Sequence, residues 1–291
     1  MLNTLKNADF DLLVPAYALN LVMLGLMAYR WQILYRISAK AKRPSFGLVL
    51  SASFIGVFFN NFLPSTIGGD TYRTMHMSRV FPEEGLAKSL SIIFIDRIIG
   101  LLGMALSGLG ALFFRSGQML LPTSYSVAMV FVFISISVCL VLSISSNFQA
   151  IILYILSKCF GSKGLTIQGK LKRFFGHLNV YESRKGLLGV ALFISILLRL
   201  IWFYGCYIVA LSLQLQIPLI AFFIAIPLIE LIRMIPITFQ GIGVRESLFI
   251  LFFDYYGVSS SDAVLLAIVI YFLLNINGVL GGFLYLFRKS N

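Results

Sequence analysis

Asn60-Asn61-Phe62-Leu63-Pro64-Ser65-Thr66-Ile67-Gly68-Gly69-Asp70-Thr71-Tyr72-Arg73 and Arg233-Met234-Ile235-Pro236-Ile237-Thr238-Phe239-Gln240-Gly241-Ile242-Gly243-Val244-Arg245-Glu246 interrupt long apolar sequence, once in each half of the chain. In both, a proline is followed two residues later by threonine, then by two glycines, and nine residues after the proline by arginine. Proline removes a backbone donor, glycine is a poor helix former, and charge is costly in hydrocarbon, so neither stretch suits a continuous helix. Two similar broken and charged segments in the two halves of a membrane protein are the pattern of a transporter site built from discontinuous helices.

The surrounding sequence requires a membrane. Hydrophobic residues make up 59% and charged residues 12% of the 291 positions, against about a quarter charged in soluble domains. Mean hydropathy is +0.94. No Pro/Ser-rich linker or low-complexity tract marks off a second domain, so a single transmembrane domain is expected. Its first half is about 1–146, a basic cytoplasmic linker about 147–186, and its second half about 187–291. The net charge of +12 sits mainly in loops beside apolar runs, which fits retention of positive charge on the cytoplasmic side and argues against nucleic acid as a partner. The N-terminus lacks the basic region of a signal peptide, and the apolar run after Leu12 is long enough to remain as a span.

Five apolar runs read as full crossings, at about 12–35, 86–114, 125–144, 187–211 and 263–287. Two more, 46–63 and 218–235, end in the Pro/Gly stretches, and each is followed by a shorter returning segment, 71–81 and 244–256. The loops rich in Lys and Arg, 30–43, 158–185 and the tail with Arg288 and Lys289, all become cytoplasmic only if 46–81 dips in from the cytoplasm and 218–256 from outside. The expected fold is therefore all-α and polytopic, with about five full transmembrane helices and two re-entrant hairpins related as an inverted repeat. Seven ordinary spans with one violated loop is the alternative. This topology puts the N-terminus outside and the C-terminus in the cytoplasm. A helix over 167–181, with Leu171, Phe174, Phe175, Leu178 and Tyr181 on one face, is expected to lie on the cytoplasmic membrane surface.

Five arginines, Arg73, Arg97, Arg199, Arg233 and Arg245, and four carboxylates, Asp70, Asp96, Glu230 and Glu246, lie at membrane depth. Each would cost roughly 2.5–3.5 kcal/mol if left facing lipid at a helix centre, so they pair, face water or bind a ligand. Asp70 with Arg73 and Glu230 with Arg233 are spaced to share a helix face. Asp96 and Arg97 are neighbours and point apart. One arginine is left over, and guanidinium groups suit bidentate phosphate binding; the competing reading spends every arginine on internal salt bridges. The glycine pairs could present free amides to an anion, or serve only as unusual backbone. Asn275, Asn277, Gly278, Gly281 and Gly282 suggest close helix packing first and a ligand contact second.

Other chemistries find no footing. Cys139, Cys159 and Cys206 are far apart with no Cys-x-x-Cys spacing, and His76 and His177 have no metal-ligand cluster beside them. There is no nucleophile elbow and no P-loop. No metal, no cofactor and no enzymatic activity are expected.

Taken in order, Asn61-x-x-Pro64-Ser65-x-Ile67-Gly68-Gly69-Asp70-x-x-Arg73, Asp96-Arg97-x-x-Gly100, and Pro236-x-Thr238-x-x-Gly241-Ile242-Gly243-x-Arg245-Glu246, with Ala263 and Gly281-Gly282 downstream, resemble the lysylphosphatidylglycerol synthase transmembrane region and the related flippase-like integral membrane proteins. The likeness runs from Tyr29-Arg30-Trp31 onward. In full-length synthases of that family a membrane domain moves the modified lipid between leaflets while a cytosolic domain makes it. The resemblance implies the flipping half alone here, because the chain stops at Asn291. Family members commonly carry one more helix before the segment matching 12–36, and its absence fits an outside N-terminus. The lysyl lipid itself is not implied.

The expected function is movement of an anionic phospholipid or a lipid-linked phosphate intermediate across a bacterial or archaeal inner membrane. Asn61, Thr66, Gly68, Gly69, Asp70, Arg73, Asp96, Arg97, Glu230, Arg233, Thr238, Gly241, Gly243, Arg245 and Glu246 form the candidate substrate site. Partners would be membrane lipids with an anionic head group, and a lipid-modifying enzyme or a second copy of the chain. A non-transporting scaffold subunit for a lipid- or glycan-modifying enzyme is the alternative. A membrane phosphatase or transferase is a third reading, but it lacks a recognisable nucleophile and base.

Overall fold

A computed structural model describes residues 2–38, 44–62, 67–82, 85–113, 123–233 and 241–287. All regular structure among them is helical. In chain order the α-helices are α1 (Leu2–Lys6), α2 (Leu13–Ser38), α3 (Phe46–Phe62), α4 (Ile67–Val80), α5 (Gly85–Phe113), α6 (Thr123–Ile144), α7 (Ser146–Glu182), α8 (Lys185–Ser212), α9 (Leu219–Arg233), α10 (Val244–Phe253) and α11 (Ser260–Leu286).

Four segments among the described residues are long and apolar enough to cross a bilayer: Phe10–Ile37, Gly85–Leu112, Lys185–Ser212 and Ser260–Leu286. The remaining expected crossing, 125–144, falls on the 22-residue α6, where the apolar stretch recognised among described residues is the shorter Val130–Cys139. The helices flanking the Pro/Gly stretches are shorter still. At ~1.5 Å per residue, α3 (17 residues) is about 25 Å long and α10 (10 residues) about 15 Å, less than the roughly 30 Å of hydrocarbon.

Side-chain contacts fix which ends lie together. Asp9 N donates to Ser212 O (2.8 Å) and Thr4 Oγ1 to Asp262 Oδ1 (2.6 Å), gathering the starts of α2 and α11 with the end of α8. Phe222 on α9 lies 5.0 Å from Phe253, so the α9–α10 pair opens toward that same end. At the opposite end Gln32 Nε2 donates to Pro44 O (2.9 Å), Tyr35 packs on Phe81 (5.5 Å), and Tyr181 OH donates to Leu34 O (3.1 Å). The α3–α4 pair opens there. The central helices α2 and α8 are antiparallel, with Asp9 beside Ser212 and Arg30 beside Ser195.

Packing partners exchange when the two halves are swapped. Helix α3 lies on α11 and α9 on α5; α4 lies on α5 and α10 on α11; α2 lies on α3 and α8 on α9. The exchange is not perfect. A Cβ on Gly281 would come within 2.0 Å of the Phe54 carbonyl oxygen and one on Gly278 within 2.1 Å of Asn61 Nδ2, so α11 clamps α3 through its glycines. Asn277 of α11 accepts from Tyr17 OH of α2 (2.9 Å). At the counterpart seam between α5 and α9, the matching α5 glycines are spent elsewhere: Gly103 meets Ser195 of α8, and Gly100 faces Arg30 and Arg199.

Three expectations need correction. Helix α7 is not a separate surface segment over 167–181 but the second arm of a fold-back. Gln149 Nε2 donates to Asn179 Oδ1 at 2.8 Å, although the two are 30 residues apart and would be about 45 Å apart on a straight helix; Gln168 Nε2 likewise reaches Leu153 O (3.5 Å). The apolar face of that second arm is covered by protein: Phe174 packs on Phe94 (5.7 Å), and Leu178 and Tyr181 are fully buried. The periodicity was real, but its partner is the bundle. Arg30, read as part of a basic loop, lies inside α2 and is buried. Finally, Gly68, Gly69 and Asp70 belong to the first turn of α4 rather than to a non-helical break. A carboxylate is favourable at that position, and Gly69 is held there by contact with α3. Pro64, Thr66, Pro236 and Thr238 lie outside the described residues.

Candidate functional site

The first Pro/Gly stretch is built around a close approach of α3 and α4. A Cβ on Gly69 would lie 2.4 Å from the Gly56 carbonyl oxygen, so only glycine lets the two backbones meet. Gly69 N donates to Asn60 Oδ1 (2.7 Å), which closes the turn. This amide is therefore not free for an anion, contrary to one expectation. Asn61 turns the other way, and its Nδ2 donates to Asn275 O (3.1 Å).

Asp70 is the hub of the first charged group. Arg97 Nε donates to Asp70 Oδ2 at 2.6 Å, and Arg73 Nη1 stands 3.7 Å from Oδ1. The expected i,i+3 pair exists, but Arg97 is the stronger partner. Arg73 is buried and its Nε, which faces Gly56, has no hydrogen-bond partner among the described residues.

In the second stretch, Gly241 and Gly243 have φ of +74° and +85°, the left-handed backbone that glycine adopts freely. Gly241 also lies under Arg233, whose Cγ would be 2.4 Å from an added Cβ. Arg233 Nη2 donates to Glu230 Oε2 (2.6 Å), as its i,i+3 spacing predicted. Gly243 N donates to Glu246 Oε2 (2.6 Å), so this amide too is spent, on the start of α10. Arg245 Nε donates to Glu246 Oε1 (3.0 Å), and its guanidinium lies over the Tyr271 ring at 4.2 Å. Its Nη1 is buried without a partner among the described residues.

Asp96 and Arg97 diverge from adjacent positions of α5, as expected, and so join two charged groups. Arg97 reaches Asp70, while Asp96 accepts from Arg30 Nε (2.8 Å), whose Nη1 donates to Ser195 Oγ (2.7 Å). Arg199 lies beside Arg30 over Gly100 and feels the charges of Arg30, Glu230, Asp96 and Arg233. A line of charged side chains thus runs from Arg73 and Asp70 through α5, α2 and α8 to Glu230 and Arg233. The described parts of the two helix pairs, α3–α4 and α9–α10, do not share a substantial packing interface; the charged side chains run between them. Arg30, Ser195 and Tyr271 were not foreseen. For Arg30 a signal existed, because the apolar pattern continues past it through Ile33, Leu34 and Ile37.

Five buried side-chain polar atoms lack a partner among the described residues, and three belong to Asn61, Arg73 and Arg245 of the candidate set. Buried polar groups are nearly always paired, so this concentration marks the two hairpins as sites where something else completes the bonding. No cluster of three or more His, Cys, Asp or Glu suited to a metal occurs among the described residues.

The model of one family, the lysylphosphatidylglycerol synthase TM region, matches residues 1–282. The chain belongs to this family. Neither a curated protein nor a solved structure matches it. Membership in the lysylphosphatidylglycerol synthase TM family, with four bilayer-length apolar helices, makes this an integral membrane protein of lipid metabolism or transport.

Proposed function

We propose that this protein is a flippase that moves an anionic phospholipid, or a lipid-linked phosphate intermediate, between leaflets. The observation that carries the reading is the pair Arg73 and Arg245. Each stands nine residues after the proline of its stretch, each is almost fully buried, and each retains a guanidinium N–H with no partner among the described residues. An arginine fork with a vacant donor suits a phosphate oxygen. The α3–α4 and α9–α10 pairs, too short to span and opening toward opposite ends, are read as re-entrant hairpins of an inverted repeat, with their tips protected by protein. Arg73, Arg97, Arg233 and Arg245 neutralise the head group; Asp70, Asp96, Glu230 and Glu246 hold them in place. The acyl or prenyl chain stays in lipid. Reconstituted protein is expected to move a fluorescent anionic lipid faster than a zwitterionic one.

Orientation follows from the basic loops, which put the N-terminus outside the inner membrane and the C-terminus in the cytoplasm. Cysteine introduced at Asn3 should react with an impermeant thiol reagent added outside, in a background lacking the native cysteines. Cysteine at Lys172 or Ser290 should not. Outside labelling at Lys172 would overturn the re-entrant arrangement.

One observation favours the scaffold alternative: Arg73 and Arg245 are only 6% and 5% exposed, so both are covered rather than laterally open. On the transport reading this is an occluded state, and Arg97, with its side chain 34% exposed, is the accessible edge of the charged group.

A further inference from the structure

Arg199 occupies the middle of α8, a 28-residue apolar helix, and is only partly buried. It makes no hydrogen bond or ion pair among the described residues. Beside it is Arg30, which spends Nε on Asp96 and Nη1 on Ser195 and leaves Nη2 unused. The two guanidinium groups converge from antiparallel helices over the missing side chain of Gly100. A Cβ there would lie 3.5 and 3.6 Å from Arg30 Nη1 and Nη2, and 3.8 Å from Arg199 Nη2. Arg199 is also within electrostatic range of Arg233 and of two carboxylates, Asp96 and Glu230, each held by its own arginine. One positive charge is in excess, at a depth where an uncompensated charge is expensive.

We propose that Arg30 and Arg199 form a phosphate-binding site over Gly100, between the two hairpins, where the head group rests in passing from one hairpin arginine to the other. This rests on the anionic-lipid reading above. The ligand is a phosphate oxyanion, which two guanidinium edges can clamp from opposite sides. Charge sets the specificity: Asp96 and Glu230 each already pair with an arginine, so the surplus positive charge favours an anion, which finds one unpaired fork and one unused donor among the described residues. Arg199 is a binding residue on this account, and Arg30 both binds and is positioned by Asp96 and Ser195.

The chain's two tryptophans report on the site. Trp31 follows Arg30 and is fully buried, and Trp202 lies one helical turn beyond Arg199. Purified full-length protein in detergent is titrated with dioctanoyl phosphatidic acid and, separately, with inorganic phosphate, while tryptophan emission is followed. Wild-type protein should show a saturable change with the lipid. Arg199→Gln should weaken the apparent affinity on the order of tenfold, the worth of one charge-assisted hydrogen bond of about 1.5 kcal/mol. Because Arg199 has no ion-pair partner to strand, this variant should remain folded and monodisperse. Gly100→Ala keeps both cations at ordinary contact distance but fills the space between them, and should weaken binding as well. A response to inorganic phosphate equal to that of the lipid would identify a free-anion site rather than a head-group site and would overturn the resting-place role. Unchanged lipid affinity in both variants would overturn the site. Arg73→Lys separates the two readings: it should impair translocation, while the further weakening caused by Arg199→Gln should persist in the Arg73→Lys background. If wild-type protein moves anionic lipid but Arg199→Gln binds and moves it equally well, only this inference fails. If nothing moves, the transport reading fails and the titration still decides the site.

Discussion

Replacing Asp70 with Ala should cost on the order of 3 kcal/mol of stability, the lower end of the range for removing one partner of a buried ion pair, because Arg73 is buried while the Arg97 side chain is 34% exposed. Asp70 accepts the 2.6 Å bond from Arg97 Nε and stands 3.7 Å from Arg73 Nη1, so one substitution takes a carboxylate from two cations, one of them the buried Arg73. The loss should appear as a sharp drop in monodisperse protein after solubilisation and a lower thermal midpoint. Asp70→Asn, which keeps an acceptor, should fall between. Wild-type yield and midpoint for Asp70→Ala would show that the arginines are neutralised by some other group.

Arg73→Lys and Arg245→Lys should behave in the opposite way, inserting normally and losing transport. Lysine keeps the charge but presents a compact ammonium in place of a planar fork. At Arg245 the fork already spends Nε on Glu246 and lies over Tyr271, so Nη1 is the donor left to aim at a ligand. Losing one charge-assisted hydrogen bond is worth about 1.5–3 kcal/mol, so each variant should translocate anionic lipid on the order of tenfold more slowly or worse. Protein yield measured alongside separates this from a folding defect. Undiminished rates would leave the vacant guanidinium donors without a role and favour the scaffold.

Local geometry at the second Pro/Gly stretch was legible because glycine conformation and helical spacing are fixed by the sequence directly. Gly241 and Gly243 take the left-handed conformations their sequence implied, and Glu230 finds Arg233 one turn away as their spacing required. The divergence of Asp96 and Arg97 was likewise a matter of helix geometry. What could not be read were facts decided by tertiary contact. The fold-back of α7 depends on Gln149 meeting Asn179, and no local signal distinguishes an apolar face that rests on lipid from one that rests on α5. Arg30 was assigned to a loop because it begins a run of basic residues, although α2 continues to Ser38 and buries it against Asp96. The amides of Gly69 and Gly243 looked available for an anion, but Asn60 and Glu246 occupy them. Of the two anion-binding features expected, those amides are spent, while Arg73 Nε and Arg245 Nη1 lack a partner among the described residues, which a sequence cannot show.

Leaflet translocation in proteoliposomes tests the central claim most directly. Wild-type protein is reconstituted with trace fluorescent phosphatidylglycerol or, as control, fluorescent phosphatidylcholine, and outer-leaflet dye is quenched by dithionite. The account predicts loss of the protected anionic signal well above the rate in protein-free vesicles, with the zwitterionic lipid close to that background. Equal rates for the two lipids, or no rate above protein-free vesicles from monodisperse protein, would contradict it.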